Sequence, residues 1–297
     1  MRTTFNSSFM NSAADLARTA EDLARRQAEV SSGRRITKPS DDPSASSGSV
    51  HEHGEMAALD RYAQTADTAT ARLSIVDSVL SDMLDQLTSA KTTILSARGT
   101  NVTATQRAAL ADQLSGLRDA IFADYGTSFN GNYLFSGQAA KTAPYTKNPN
   151  GTTSAYAGTA TTMAVDVDRN TAVTVSVNGE GLARGTDSVD IFAALDQAIT
   201  DIRAGNAAGM ADAGSAVERA FGRATSAQTA IGTSINAVEI HQGRVADLRR
   251  ASEGRADGLE KVNLAEAITR MSQADTAYRA ALGAIGTTGR KTLMDYL

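Results

Sequence analysis

Cysteine and tryptophan are absent from this 297-residue chain, and phenylalanine and tyrosine supply only seven residues each. Without cysteine there is no disulfide framework, no thiolate metal site and no cysteine nucleophile. Proline is scarce as well: four residues sit in two short loops, Pro39 with Pro43 and Pro144 with Pro149. No run of ~18 apolar residues exists, the length a membrane-spanning helix needs. The opening segment MRTTFNSSFMNSAADLARTAEDL lacks the apolar stretch of a cleavable leader, so ordinary targeting signals read as cytosolic. A dominant charge is also missing. The 29 basic and 33 acidic residues are intermixed, which leaves no electrostatic footprint for nucleic acid or an anionic membrane.

What the chain does have is heptad periodicity. Leu59, Tyr62, Ala66, Ala69, Leu73, Val76, Leu80, Met83, Leu87, Ala90 and Ile94 recur at alternating spacings of three and four, the seam of a coiled coil. The proline-free stretch from Ser44 to Arg98 would reach roughly 80 Å as one helix, longer than the ~50 Å breadth of a compact globule of this length. The spacing therefore predicts a mainly α protein: an elongated antiparallel helical bundle or coiled coil built from both chain ends.

The prolines mark where helices stop, since each costs about 3 kcal/mol inside one. Residues 1–43 read as an N-terminal arm and loop. The arm carries Leu16, Ala20, Leu23, Gln27 and Val30 on one stripe and stops at Ser32-Gly33. Residues 44–128 form the first half of a rod, the long helix followed by a second from Thr103 to Tyr125. Thr103 and Gln106 offer a capping box, and Leu110, Leu114, Leu117 and Ile121 line one face. Residues 129–186 change to period two. Met163, Val165 and Val167 alternate against Val173, Val175 and Val177 across Asp168-Arg169-Asn170, a hairpin pattern. Asn132–Gly137 and Thr153–Gly158 are expected as further strands of this small inserted β-rich domain, with NPNG at 148–151 as a turn. Residues 187–254 return to helix: Ile191, Leu195, Ile199 and Ile202, then from Met210 the stripe Ile231, Ile235, Val238, Gln242, Val245 and Leu248. Residues 255–297 form a C-terminal arm with Leu264, Ile268, Met271, Tyr278, Leu282 and Ile285 on its stripe. The C-terminal half is expected to fold back on the N-terminal seam, bringing the two arms together. Gly283, Gly286 and Gly289 weaken the last helix by about 1 kcal/mol each relative to alanine. Such an arm is expected to order only when packed on its partner or on other subunits.

Candidate chemistry is sparse. His51, Glu52, His53 and Glu55 do not have the HExxH spacing that puts ligands on one helix face, and read as a solvated helix start. Asp166 and Asp168 share one strand face and read as the wet face of the hairpin. Asp41 and Asp42 read as turn and helix-cap residues, Asp42 directly before Pro43 at a first helical position, with Arg34 and Arg35 placed to pair with them. Arg249-Arg250 reads as a solvated helix face. No phosphate loop, serine elbow or cysteine-histidine pairing is present. No catalytic residue, metal ligand or cofactor is expected, because a rod of small residues offers no deep pocket.

Two segments carry a resemblance. SSGRRITKPSDDPSASS at 31–47 resembles the signature loop of the flagellin superfamily, which comprises flagellins and the hook-associated junction proteins of bacterial flagella. GNYLFSG at 131–137, with Tyr133, Leu134, Phe135 and Gly137, is similar to the strand opening the outer domain of the hook-filament junction members. The likeness continues at Pro144-Tyr145, Tyr156-Ala157-Gly158, DIFAALDQAITDIRAG at 190–205 and the closing Leu293, Met294, Asp295, Tyr296 and Leu297. It implies that Leu16, Leu23 and Val30 of one arm, and Leu264, Ile268, Met271, Tyr278, Leu282, Ile285, Leu293, Tyr296 and Leu297 of the other, are assembly interface. It gives the same role to Gly33, Arg34, Pro39, Asp41, Asp42 and Pro43 of the loop. It further implies export through the flagellar type III channel without a cleaved leader, which replaces the cytosolic reading with a secreted one. The implied partners are copies of the chain in a helical ring, a hook-side junction protein, flagellin and an export chaperone, with no nucleic acid and no membrane. The chain departs from flagellins in lacking an asparagine- and glutamate-rich stretch at the start of the long helix. A flagellin subunit, a flagellin-like surface protein gripping a glycan or receptor through its β domain, and a cytosolic scaffold are the competing readings.

Overall fold

The computed structural model describes residues 2–149 and 151–294, with side chains described over 10–149 and 151–286. Among the described residues, seven helices and four strands follow in the order α1 (Arg2–Ser32), α2 (Pro43–Ala97), α3 (Ala104–Tyr125), β1 (Ser128–Phe129), β2 (Asn132–Tyr133), β3 (Ala164–Asp168), β4 (Thr171–Thr174), α4 (Gly179–Ala183), α5 (Ile191–Ala204), α6 (Ala207–Glu260) and α7 (Leu264–Met294). The protein is mainly α, as its periodicity predicts. It divides into two compact units, residues 1–58 with 247–297 and residues 59–246.

In the unit of residues 59–246 the heptad seam of α2 is the core. Leu59, Ala66, Ala69, Leu73, Val76, Leu80, Met83, Leu87, Ala90 and Ile94 are all buried, and Tyr62 alone of the series is half-buried. Ala213, Val217, Ala220, Ala224, Ile231, Val238 and Val245 of α6 are buried in the same heptad register, at threes and fours and then at sevens. Lys91 meets Glu218 at 3.3 Å and Gln242 donates to Asp67 at 2.9 Å. Residue numbers rise along α2 as they fall along α6, so the two run antiparallel, with alanines among the buried residues of both. Leu248, expected on this stripe, is exposed.

The larger side chains gather where α3 and α5 join. Arg118 pairs with Asp196, and Arg203 with Asp112 at 2.8 Å, which sets these helices antiparallel as well. Phe122, Tyr125, Phe135, Tyr145, Tyr156 and Phe192 stack with ring centroids 4.8–6.2 Å apart, mostly edge to face. Six of the chain's fourteen phenylalanines and tyrosines thus share one cluster, and it seals the β segment onto the helices. Local signals fix the boundaries here. Thr103 and Gln106 form the capping box, Asp190 caps α5 at Ala193 N–H, and Gly205 closes α5 at φ +69°.

The β segment departs from expectation in three places. Of the strand expected over 132–137, only Asn132–Tyr133 pairs, with Ser128–Phe129 across an Asn130-Gly131 turn whose φ angles are both positive. That Asn-Gly turn is the sequence signal for a hairpin that period-two counting overlooks. Leu134 N–H still donates to Thr127 O at 3.0 Å in register with the hairpin, and beyond it the buried chain turns to other segments, with Ser136 bridging Asn178. Thr153–Gly158 forms no strand: Ser154 and Ala157 donate to Thr146 and Pro144, which are irregular partners, and only Thr153 bridges Lys147. The β3–β4 hairpin is present, with a bulge between Asp166 and Asp168. The bulge separates the two carboxylates. Asp166 stays exposed, while Asp168 turns onto α6, 3.7 Å from His241 Nδ1 and 3.8 Å from Arg244.

Gly137 (φ +63°) combines a left-handed backbone with a close approach, since a Cβ there would lie 2.1 Å from the Thr159 carbonyl oxygen. Gly116, in the interior of α3, faces open space. Gly137→Ala is expected to destabilise the protein by more than ~2 kcal/mol and Gly116→Ala to stabilise it by ~1 kcal/mol. Urea unfolding midpoints followed at 222 nm check both signs.

Candidate assembly interface

The two terminal arms belong to the unit of residues 1–58 and 247–297, and there they pair. Gly33 O accepts from Val262 N–H at 3.1 Å, and Arg34 and Lys261 bridge in antiparallel sense, so the end of α1 meets the start of α7 and the helices run in opposite directions. Leu16, Leu23 and Val30 of α1 are half-buried, as are Met271, Tyr278 and Ile285 of α7. The side chains fully buried on α7, among those described, are Ala267 and Ala274; on α1 the one such residue is Glu29, which pairs with Arg26 at 3.1 Å. The hydrophobic seam between the arms is therefore thin.

The predicted C-terminal stripe splits into two faces. Leu264, Ile268 and Leu282 are 52%, 47% and 44% exposed, whereas Met271, Tyr278 and Ile285 are half-covered. Ala267 and Ala274, one position before Ile268 and Asp275, take the closest places, because a 3.6-residue helix carrying apolar groups across more than one stripe can turn only one of them toward a single partner. Gly283 and Gly286 have no atom within 4 Å of where a Cβ would stand, so neither serves a close approach to α1. Tyr296 and Leu297 lie outside the described residues, as does the side chain of Leu293.

The loop between α1 and α2 is built by its own side chains. Gly33 takes φ +69° and turns the chain out of α1. Asp41 Oδ2 accepts from Thr37 N–H at 3.1 Å, Thr37 Oγ1 at 3.0 Å and Lys38 N–H at 2.8 Å. Asp42 caps α2 through Ala45 N–H at 3.0 Å, with Pro43 at the first helical position, and Pro39 is exposed at the bend. Arg35 then ties the loop across to α6: its N–H donates to Glu260 O at 2.6 Å, one guanidinium nitrogen to Leu259 O and another to Asp42, both at 3.0 Å. Arg34, expected to face Asp41 or Asp42, reaches Glu260 instead at 3.6 Å, since Asp41 is already filled by backbone donors.

Glu260 is the residue that sequence reasoning missed. It accepts from Ser49 Oγ and from His53 Nε2, the latter at 2.7 Å, and one turn earlier Arg255 pairs with Glu52 at 2.8 Å. Two members of the His51–Glu55 group thus fasten the start of α2 to the end of α6. The signal was present as period: Ser49, Glu52 and His53 sit three and four apart on one helix face. The electrostatics follow the bonds. The Ala45 N–H and then Arg35 hold the Asp42 carboxyl below the usual carboxylate range. The Lys38 and Thr37 N–H groups do so for Asp41, and Ser49 and His53 do so for Glu260. An open groove of about 570 Å³ lies between α1 and this loop, with Arg18, Asp22, Arg25, Lys38 and Asp41 on its walls. Its mixed charges suit a polar helix surface better than a small apolar ligand.

The signature segment at 131–137 has a different place. Leu134, Phe135, Ser136 and Gly137 are buried and Tyr133 is half-buried, and Tyr156 OH donates to Phe135 O at 2.8 Å. It is core of the unit of residues 59–246 and holds the aromatic cluster.

Against known proteins, the family model for the bacterial flagellin N-terminal helical region matches residues 4–140. The flagellar hook-associated protein 3 of Escherichia coli strain K12 is 28% identical over 188 residues, which cover 59% of this chain and 58% of that protein, so the chain spans well under two thirds of its relative. Among solved structures, one from Vibrio parahaemolyticus, assigned provisionally as a flagellar hook-associated protein, superposes with a TM-score of 0.69 at 20% identity and covers 74% of this chain and 100% of that one. The flagellar junction protein FlgL of Legionella pneumophila superposes with a TM-score of 0.58 at 14% identity, covering 72% and 100%. At those identities the structures establish a shared fold. Residues 4–140, just under half of this chain, match the N-terminal helical region of the bacterial flagellins, and over 188 residues the chain is similar to flagellar hook-associated protein 3.

Proposed function

We propose that this chain is a structural adaptor of the bacterial flagellum that joins a hook-side junction ring to the first flagellin subunits. In this reading it is exported unfolded, is held before export by a chaperone, and assembles outside the cell into a helical ring of its own copies through its terminal helices. Residues 1–43 and 255–297 act as the assembly arms, 44–128 and 187–254 as the two halves of the rod, and 129–186 as the outer domain. The observation that carries the reading is the half-covered arm pair, in which α7 turns Leu264, Ile268 and Leu282 to solvent and leaves Gly283 and Gly286 open. Apolar side chains repeated along one helix, beside glycines that would admit another backbone, suit a second helical partner. Likeness to hook-associated protein 3 supports the junction role over other flagellar positions. The flagellin region matched over residues 4–140 favours a second reading, that of a filament subunit. Long filaments grown from the purified chain alone would select it.

Deletion of the gene is expected to give cells that build hooks, shed monomeric flagellin into the medium and carry no filament. Electron microscopy of cells with normal filaments would overturn the junction role.

The arms give a sharper test. Gly283→Ala with Gly286→Ala is expected to strengthen α7 in the isolated chain by ~1 kcal/mol per site, seen as raised helicity, while abolishing filament attachment in the complemented deletion strain. Raised helicity with full motility would remove the glycine face from the assembly surface.

The loop responds to acid. Asp41, Asp42 and Glu260 have folded-state pKa values below their unfolded ones, so their contribution is complete above about pH 4–5 and is lost as pH falls through the folded values. The thermal midpoint of this unit is expected to fall below about pH 4, and Asp42→Asn to flatten that acid limb, as circular dichroism at stepped pH would show.

A further inference from the structure

Within the unit of residues 59–246, one side of α2 carries a charge for which the described residues supply no ionic partner. Arg72 is only 6% exposed. Its Nε donates to the Val175 carbonyl oxygen at 2.8 Å, and its Nη2 is buried with no hydrogen-bond partner. Among the described residues no carboxylate pairs with it, and burial alone draws its pKa down. An arginine does not escape this by losing its proton, and an unpaired buried ion costs several kcal/mol. The other buried ions are answered by side chains: Glu29 pairs with Arg26, and Asp201 accepts from the Gln197 and Asn206 amides at 3.2 and 2.8 Å.

Arg72 lines a groove of about 390 Å³ between α2, the β1–β2 turn and β3. The size lies at the lower end of small-molecule sites. Its walls fall into two kinds. Phe129, Met163 and Val165 make an apolar side, each half-buried. Gln64, Asn130 and Asn132 bring side-chain amides that make no internal hydrogen bond among the described residues. Thr65 and Thr68 spend their hydroxyl protons on Arg61 and Gln64 carbonyls, so toward the groove they offer acceptor lone pairs. The lining holds one cation and no anion. A phosphate dianion would find a single positive charge, whereas a monoanion with a planar, two-oxygen head matches one guanidinium.

We infer that the groove beside Arg72 is a binding site for a small amphiphilic monocarboxylate, its carboxylate on the Arg72 guanidinium and its carbon body against Phe129, Met163 and Val165. The amides of Asn130 and Asn132 complete the polar side. The site is independent of the terminal arms and of the role assigned to them.

Isothermal titration of the full-length chain with acetate, butyrate and benzoate, at constant ionic strength in chloride, tests the assignment. Saturable binding is expected, tighter for butyrate and benzoate than for acetate, with neutral butyramide failing to bind. Arg72→Met is expected to weaken butyrate at least ~10-fold. It is also expected to raise the thermal midpoint in carboxylate-free buffer, because it removes a buried unpaired ion. Should that variant not fold, Thr68→Glu serves: it places a carboxylate four residues before Arg72 on the exposed flank of the same helix, and is expected to raise the midpoint and abolish butyrate binding. No saturable heat with any of the three acids, butyramide binding equal to butyrate, or unchanged butyrate affinity in either variant would overturn the site.

Discussion

The apposition of α2 and α6 through small side chains carries the unit of residues 59–246. A helix of 55 residues gains little from propensity alone; it persists because apolar groups along one stripe are covered throughout. Here the stripe from Ala66 to Ile94 shares one buried core with the alanines and β-branched residues of α6, from Ala213 to Val238. The other elements depend on that seam. α3 and α5 close over its end with Leu114, Ile121, Leu195 and Ile202, and the aromatic cluster fills the volume where small residues would leave a void.

The terminal arms obey the same rule with less material. α1 and α7 pair antiparallel, but the fully buried places on α7 are Ala267 and Ala274, and the larger Leu264, Ile268 and Leu282 face away. Removing an alanine-sized surface from water contributes far less than removing a leucine. The pair therefore relies on its attachment at the loop, where Arg35 bonds to the Leu259 and Glu260 carbonyls and Glu260 gathers Ser49, His53 and Arg34. A thin seam with a firm hinge suits helices that have a further surface to cover.

The polar groups of the two units differ in kind. In the loop each charge that shapes the backbone is answered within the chain: Asp41 by three donors, Asp42 by Ala45 and Arg35, Glu260 by its hydroxyl, imidazole and guanidinium neighbours. Arg72 has a single backbone carbonyl. Satisfied charges specify structure, whereas one with no ionic partner among the described residues, beside an open groove, leaves a cation available to an incoming anion.

Periodicity and capping chemistry by themselves determined the long helices of this protein, though not the short α4 inside the span read as β-rich. The 3–4 spacing of the α2 seam, the capping box at Thr103, Asp42 before Pro43 and the glycines after Ser32 and Ala204 each act within a few residues, so each could be read locally. Which side of α7 faces α1 was not readable, because its apolar groups occupy more than one stripe and only a partner chooses among them. The irregular course of 134–137 and 153–158 was likewise settled by the aromatic cluster, which pulls Phe135 and Tyr145 inward at the expense of strand pairing. The Asp166–Asp168 bulge, the role of Glu260 and the isolation of Arg72 also belong to tertiary structure. The bulge lies within its own hairpin, but the partners of Asp168, Glu260 and Arg72 stand tens to hundreds of positions away, and no local pattern encodes who will stand opposite a charge once the chain has folded.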